Sequence, residues 1–200
     1  MALFEKTLQG IKDLDSVLST AKDTFQAERK RLMDTYKDAV FAQKVKEIKR
    51  VYDETQAQQK ALCLNIVQED FSAVREKVSM VVTAAPPADF PATLEAIRAS
   101  GKAIFEYEAA ALLEKYKGNY LAYRTLAEVL HQFGRANGVL LTSPDSLMEE
   151  LEDIENMVKN WIMGYSASSY MTALLTNHTN PVTALASTVQ EFLDGQYTKV

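Results

Sequence analysis

The most constraining feature of this chain is a long stretch that contains neither glycine nor proline. After Gly10, neither residue type occurs again until Pro86, so residues 11–85 lack both. Lysine, glutamate, glutamine, alanine and leucine dominate the stretch, and these residues favour helices. It shows no sustained alternation of apolar and polar residues of the kind that indicates strands. Residues 11–85 are therefore predicted to be helical throughout, or nearly so.

Apolar residues in this N-terminal arm recur every seven positions. The column consists of Phe4, Ile11, Leu18, Phe25, Leu32 and Ala39. A narrow stripe with this period is typical of coiled-coil packing. Because the stripe cannot bury itself, we expect it to pair within the chain, with a second copy or with a partner protein, and its members from Phe4 to Leu32 are candidate interaction residues. The phase of the pattern changes near residue 40 and again before Val67, which indicates stutters or separate helices.

Two arrangements of the arm remain open. The polar segment 54–60 has almost nothing to bury. In one arrangement the chain turns back within residues 53–61 and forms an antiparallel coiled-coil hairpin. In the other, one helix of about 110 Å runs through. A compact domain of this length has a radius of gyration of only about 16 Å, so the continuous helix requires an elongated molecule or a partner. We favour a break within 53–61.

A proline cluster divides the chain. Three prolines fall within residues 86–91, and proline cannot continue a helix. We predict a helical arm over residues 1–85 and a helical bundle over 86–200, which makes the fold all-α. Glycine stops and capping residues predict about five shorter helices in the bundle. These span residues 91–117, 120–133, 143–164, 166–175 and 181–194, followed by a tail at 196–200.

The composition leaves little material for catalysis. Cys63 is the single cysteine, which excludes an intramolecular disulfide and a cysteine-rich zinc site. We expect Cys63 to be a small packed residue of the arm. The seven glycines are scattered and form no phosphate-binding loop. The chain is therefore predicted to be no enzyme, and no cofactor is expected.

One motif could contribute to a metal site. Glu128 and His131 stand three residues apart, which on a helix places a carboxylate and an imidazole on one face, as in di-iron carboxylate bundles. Such sites need the motif twice, and Leu175 stands three residues before His178, where a second motif would require a glutamate. We expect His131 to lie near a helix end, where its charge suits the helix dipole. A metal-binding or ligand-binding bundle that uses Glu128 and His131 remains an alternative.

Charge is distributed unevenly along the chain. Basic clusters at 29–31 and 44–50 are interleaved with acidic residues, which is typical of solvated helix faces, so nucleic-acid binding is not expected. Residues 81–200 hold 8 basic and 14 acidic residues. Six of these acids lie within residues 145–155: Asp145, Glu149, Glu150, Glu152, Asp153 and Glu155. Such a segment is often a solvated face that favours a helix start. It is nevertheless the candidate partner-binding surface, because it carries a single sign of charge.

Four tyrosines surround the predicted turn at Gly118, namely Tyr107, Tyr116, Tyr120 and Tyr123. They could form a surface for stacking or peptide docking. We favour aromatic packing that fixes a helical corner.

No targeting signal is recognisable. The first residues lack a basic segment followed by an apolar run, and no stretch approaches the roughly 20 apolar residues of a membrane helix. A cytoplasmic location without membrane contact is therefore expected.

Three segments resemble uncharacterised all-helical proteins encoded by phages and prophages of Gram-positive bacteria. They read LLEKYKGNYLAYRTLAEVLHQFG, SPDSLMEELEDIENMV and VQEFLDGQY. The resemblance implies a role in particle structure or assembly, or interference with a host protein, in the host cytoplasm or in the virion. It implies no catalytic residues. We therefore expect a non-enzymatic protein that acts by contact, through self-association or with other phage or host proteins. The alternative is an inhibitor or adaptor that binds a host protein.

Overall fold

The structure is a computed structural model that describes residues 3–136, 141–165 and 180–198. Within these ranges the chain is all-α, as predicted. The helices are α1 (Glu5–Thr35), α2 (Asp38–Thr83), α3 (Phe90–Ser100), α4 (Glu106–Tyr116), α5 (Tyr120–Gln132), α6 (Pro144–Gly164) and α7 (Pro181–Leu193). A 3-10 turn, Gly101–Ala103, follows α3.

The two long helices, α1 and α2, pack as an antiparallel hairpin. The ring centroids of Phe4 and Phe71 lie 4.5 Å apart, and those of Phe25 and Tyr52 lie 5.2 Å apart. Contact positions thus descend along α2 as they ascend along α1. The arm therefore turns back on itself, which was one of the two arrangements predicted.

The position of the turn differs from the prediction. A break within residues 53–61 is wrong, because α2 is continuous through this segment. The chain turns at 36–37 instead, where Tyr36 is extended (φ −124°, ψ 150°) and Asp38 adopts a left-handed φ of 54°. Residues 54–60 are good helix formers and remain helical without burying much surface. The phase change near residue 40 was the sequence signal of the turn.

The N-terminus of α1 is capped by a side chain from α2. Asp70 Oδ2 accepts hydrogen bonds from the backbone N–H and the hydroxyl of Thr7, both at 2.9 Å. The N–H is one of the amides that a helix leaves unpaired in its first turn, where negative charge is also favoured by the helix dipole. Thr7 is fully buried, so no solvent replaces these bonds.

Contacts cluster the chain into two compact units. One comprises Met1–Ser72 with Asp153–Ala184, and the other comprises Ala73–Glu152 with Leu185–Val200. The grouping cuts across the predicted segments 1–85 and 86–200, because α2, α6 and α7 each contribute residues to both units.

The first unit holds the end of α6 against the hairpin. The Tyr165 phenol donates a hydrogen bond to the Asp15 carboxylate of α1. Lys60 Nζ, from α2, donates to the carbonyl of Met163 at 2.9 Å, which satisfies one of the carbonyls left unpaired at a helix C-terminus. Val158 and Ile162 on this part of α6 are fully buried.

The second unit contains a break that the sequence interpretation missed. The predicted helix over residues 91–117 is two helices, because Gly101 takes a left-handed φ of 52° and ends α3. The reversal buries Ile104 in a core with Ile97 and Leu126.

A polar cluster connects the start of α3 to the end of α4. There, Asp89 Oδ2 accepts from Lys115 Nζ at 2.6 Å and from the Tyr116 hydroxyl at 3.1 Å.

The predicted tail at 196–200 is packed as far as it is described. Tyr197 is 2% exposed, and its ring contacts those of Tyr120 and Phe192 at 5.1 and 5.2 Å. Its carbonyl accepts a hydrogen bond from the Thr142 N–H at 2.7 Å. Gly195 permits this path, because its φ is 83° and a Cβ there would lie 2.5 Å from the carbonyl oxygen of Lys117. The described part of the predicted tail is thus packed in the core of the second unit.

The predicted helices at 120–133, 143–164 and 181–194 are confirmed to within a residue or two as α5, α6 and α7. Asn119 and Asn180 cap α5 and α7 by accepting hydrogen bonds from the N–H groups of Ala122 and Val182, each at 2.9 Å. The predicted helix at 166–175 lies outside the described residues.

We predict that Asp70→Ala lowers the free energy of unfolding by about 1–3 kcal/mol, because it leaves the buried amide and hydroxyl of Thr7 without an acceptor. Urea unfolding followed by circular dichroism measures the change. Glu69→Ala, at the exposed neighbouring position, is the control and should stay within about 0.5 kcal/mol of the unsubstituted chain. Equal stability of the two variants would contradict the role of Asp70 as the cap.

A second prediction concerns the turn. Asp38→Val should be about 1–2 kcal/mol less stable than Asp38→Gly, because a β-branched residue is strained at a left-handed φ that glycine adopts freely. The same unfolding measurement compares the two variants. If valine and glycine are equally stable at position 38, the chain does not turn there.

Candidate interaction surfaces

The seven-residue stripe of the arm lies mostly inside the hairpin. Four of its five candidate residues are buried: Phe4, Ile11, Leu18 and Leu32. Phe25 is half-buried and stacks on Tyr52. These residues therefore pack in the core of their own chain, and they expose little surface to a partner.

The six acidic residues of α6 lie on two different sides of the helix, five of them exposed and one buried. Asp145, Glu149, Glu150, Glu152 and Asp153 are exposed. None of these five carboxylates forms an ion pair within the described residues. We call these five residues the acidic face. No basic residue occurs in the sequence between Arg135 and Lys159 that could neutralise it locally.

Glu155 does not belong to the acidic face. It lies four residues after Leu151 and three before Val158, both fully buried, so it occupies the core side of α6 and is only 5% exposed. Lys159 Nζ pairs with it at 2.6 Å. Glu155 is therefore a structural carboxylate, and its candidate role in partner binding loses support.

A polar pocket adjoins the acidic face. Glu150 and Glu191 contribute carboxylates to a cavity of about 340 Å³. The remaining lining residues are Thr142, Ser146, Leu147, Thr188, Gln196 and Thr198. Carboxylate, hydroxyl and amide oxygens are acceptors, so the pocket suits a cationic donor such as an ammonium or guanidinium group. Sequence reasoning missed it, because its members come from three separate segments and the C-terminal one was predicted to be a tail.

Glu128 and His131 lie on the outer side of α5, where both are exposed. Glu128 Oε1 accepts a hydrogen bond from Arg124 Nε at 2.9 Å. Within the described ranges, no group of three or more histidine, cysteine, aspartate or glutamate side chains is arranged so that it could hold a metal ion. His178 lies outside those ranges. The motif is thus present on a helix, with its carboxylate engaged by an arginine.

Cys63 is buried in α2. Burial raises the pKa of its thiol from 9.0 to about 11, and the nearby Asp13 carboxylate adds to the rise. Both effects disfavour the thiolate, which is the nucleophilic form. The environment of Cys63 is therefore that of a packed residue.

The basic clusters of the hairpin are paired with neighbouring acids on exposed faces. Arg31 contacts Glu28 at 2.7 Å, Lys49 contacts Asp53 at 2.5 Å, and Arg50 contacts Glu54 at 2.7 Å. These are the i,i+3 and i,i+4 pairs of a solvated helix surface. The clusters consequently present alternating charge rather than a continuous positive patch.

The four tyrosines near Gly118 separate into three environments. Tyr116 packs edge-on against Phe90, and Tyr120 and Tyr123 join Tyr197, as the packing interpretation predicts. Burial raises the pKa of the Tyr120 phenol. Tyr107 is 71% exposed and stacks on Phe105, so it does not fix the corner.

Comparison of the chain with protein-family models, with curated proteins and with solved structures returned no match. In the part of the chain that is described, no helix combines the length and the apolar character needed to span a bilayer.

We predict that Cys63 in the folded chain reacts with a thiol-specific disulfide reagent at pH 8 at least about 100-fold more slowly than in the urea-unfolded chain. A pKa rise of about two units lowers the thiolate fraction by that factor, and burial restricts access further. The Cys63 thiol loses its proton at a lower pH in the unfolded chain than in the folded chain. The free energy of unfolding should therefore fall as the pH rises from about 9 to 11. Native and unfolded rates within threefold of each other would contradict the buried environment.

Proposed function

We propose that this chain is a non-enzymatic interaction protein that docks a basic segment of a partner protein on the acidic face of α6. The observation that carries the proposal is the absence of ion pairs at the five exposed carboxylates of that face among the described residues. Such an arrangement costs self-repulsion, which a partner of opposite charge relieves.

Helix geometry supports a continuous surface. Asp145, Glu149 and Glu152 follow one another at i+4 and i+3 spacing, so they lie in one row along α6, and Asp153 lies beside them. The row from Asp145 to Asp153 is about 12 Å long. This length matches a short run of lysine or arginine side chains on a partner.

The polar pocket supplies specificity that the acidic row alone lacks. Exposed ion pairs contribute little each and are screened beyond about 8 Å at physiological salt. A cationic side chain inserted between Glu150 and Glu191 would be partly desolvated and fixed by several acceptors, which strengthens a charge-assisted hydrogen bond. The proposal therefore expects an anchoring arginine or lysine in the pocket and a basic segment along the row.

The resemblance to phage-encoded helical proteins suggests where such a partner is found. We propose a component of the phage particle or of its assembly, with a host protein as the alternative target.

A fluorescent oligo-arginine peptide tests the proposal as a probe of the acidic face. We predict that Asp145→Asn, Glu149→Gln, Glu152→Gln and Asp153→Asn together weaken its binding by about tenfold or more, and that binding falls with added salt. Fluorescence anisotropy titrations of the full chain measure both effects.

The matched control removes the same number of negative charges elsewhere. Asp23→Asn, Asp34→Asn, Glu69→Gln and Glu95→Gln change four exposed acids outside α6. This variant should bind the peptide nearly as well as the unsubstituted chain. If the two quadruple variants lose affinity equally, binding reflects net charge alone and the proposed surface is wrong.

A further inference from the structure

The turn end of the hairpin carries basic side chains that have no acidic partner. We call residues 29–46 the hairpin end; they comprise the last turns of α1, the turn at 36–37 and the first turns of α2. Leu32 is the one buried residue among them, so most of this segment is open to solvent. Four of its basic side chains are exposed and form no ion pair within the described residues: Arg29, Lys30, Lys37 and Lys46.

The hairpin end remains positive when its local ion pairs are set aside. It holds six basic and two acidic residues. Arg31 and Lys44 are engaged, because they contact Glu28 and Glu47 at 2.7 and 4.0 Å. The four unpaired cations still outnumber the two acids, which are Asp34 and Asp38. The rest of the chain holds 16 basic and 25 acidic residues, so the hairpin end has the opposite sign of charge to the rest of the molecule.

The acidic face of α6 complements the hairpin end in charge and in length. Its five carboxylates are exposed and unpaired within the described residues. Its row from Asp145 to Asp153 spans eight residue steps, or about 12 Å. Arg29 and Lys37 are also eight residues apart, so the unpaired cations extend over a similar length along α1 and the turn. One chain therefore carries two sets of unpaired charges that have opposite sign and similar extent.

The polar pocket beside the acidic face is suited to the apex of the hairpin. Glu150 and Glu191 reach this pocket from two different helices, so it is a concave site and more than a stretch of charged helix surface. Lys37 lies in the two-residue turn between α1 and α2, where its side chain can approach a pocket end-on. An ammonium group has three donors, and the pocket offers carboxylate, hydroxyl and amide acceptors.

We infer that the partner of the acidic face is the hairpin end of a second copy of this chain. The inference rests on the proposed function, because it uses the same face, and it names the partner. Lys37 enters the polar pocket, and Arg29 and Lys30 lie along the acidic row. The two surfaces differ, so the contact is heterologous and leaves one face and one hairpin end free in each pair. Association therefore continues to a closed ring or an open chain of copies, and added salt weakens it.

Sedimentation equilibrium tests the inference over a concentration series that reaches about 0.5 mM, because exposed ion pairs contribute little affinity each. At low salt the average mass should rise above the 22.4 kDa of one chain as the concentration increases. It should return to one chain mass at about 0.5 M salt. Arg29→Gln, Lys30→Gln and Lys37→Gln together should weaken the association by about tenfold or more.

The matched control removes three cations from the other end of the hairpin. Lys6→Gln, Lys12→Gln and Lys77→Gln change exposed residues that form no ion pair within the described residues. This variant has the same net charge as the hairpin-end variant and should associate as strongly as the unsubstituted chain.

A mixing experiment tests whether the contact is heterologous. The hairpin-end variant keeps its acidic face, and the quadruple α6 variant proposed above keeps its hairpin end. Each variant alone should stay close to one chain mass. Mixed in equal amounts, they should form pairs, because one intact hairpin end meets one intact face and neither copy can extend the assembly. The average mass should therefore stop at twice 22.4 kDa.

Oligo-arginine binding separates this inference from the proposed function. If the acidic face binds the peptide but the unsubstituted chain stays monomeric at every concentration, the inference is wrong and the proposed function stands. If the α6 substitutions leave peptide binding unchanged, both are wrong. Equal association of the hairpin-end variant and its control, or a mixture that stays at one chain mass, would also overturn the inference. All substituted positions are exposed, and circular dichroism checks that each variant remains helical.

Discussion

The contact that closes the open end of the hairpin governs the N-terminal half of this structure. Asp70 of α2 holds the first turn of α1 through Thr7, and Phe71 packs on Phe4 beside it. A slip of one helical turn between α1 and α2 would displace this carboxylate by about 5.4 Å and leave a buried amide unpaired. The cap therefore fixes the register of the pair, and the register determines which faces remain exposed.

Two consequences follow from this register. The seven-residue stripe of α1 becomes the seam of the hairpin, so the residues that looked available for a partner are used internally. The apolar side chains of Val40, Val51 and Leu62 on α2 are left about half exposed. The same hairpin receives the end of α6 through Tyr165 and Lys60.

Much of the helical architecture was predictable because its boundaries depend on local chemistry. Asn119, Ser143 with Pro144, and Asn180 with Pro181 are capping and initiating residues whose effect acts within one turn. The turn before Asp38 was not predictable in this way, because an aspartate takes the left-handed conformation that glycine usually supplies. The break at Gly101 was missed for a different reason, since a single glycine within a helical pattern does not by itself indicate the end of a helix.

The candidate interaction surfaces were likewise predictable only where they depend on local sequence. The acidic segment was visible in the sequence, but the burial of Glu155 depends on which side of α6 meets the core. The polar pocket needed Tyr197 to bring Gln196 and Thr198 to α6, and no local signal marks that packing.

The central claim is that residues 5–83 fold back as a hairpin within one chain. Spin labels at Ser19 and Gln58, two exposed positions on α1 and α2, test it by pulsed electron spin resonance in a Cys63→Ala background. Dilution with unlabelled protein removes distances between copies. The hairpin predicts a separation below about 30 Å, because adjacent packed helices lie about 10 Å apart and the labels add the rest. A separation of about 58 Å, which is the distance between positions 19 and 58 in one continuous helix, would contradict it.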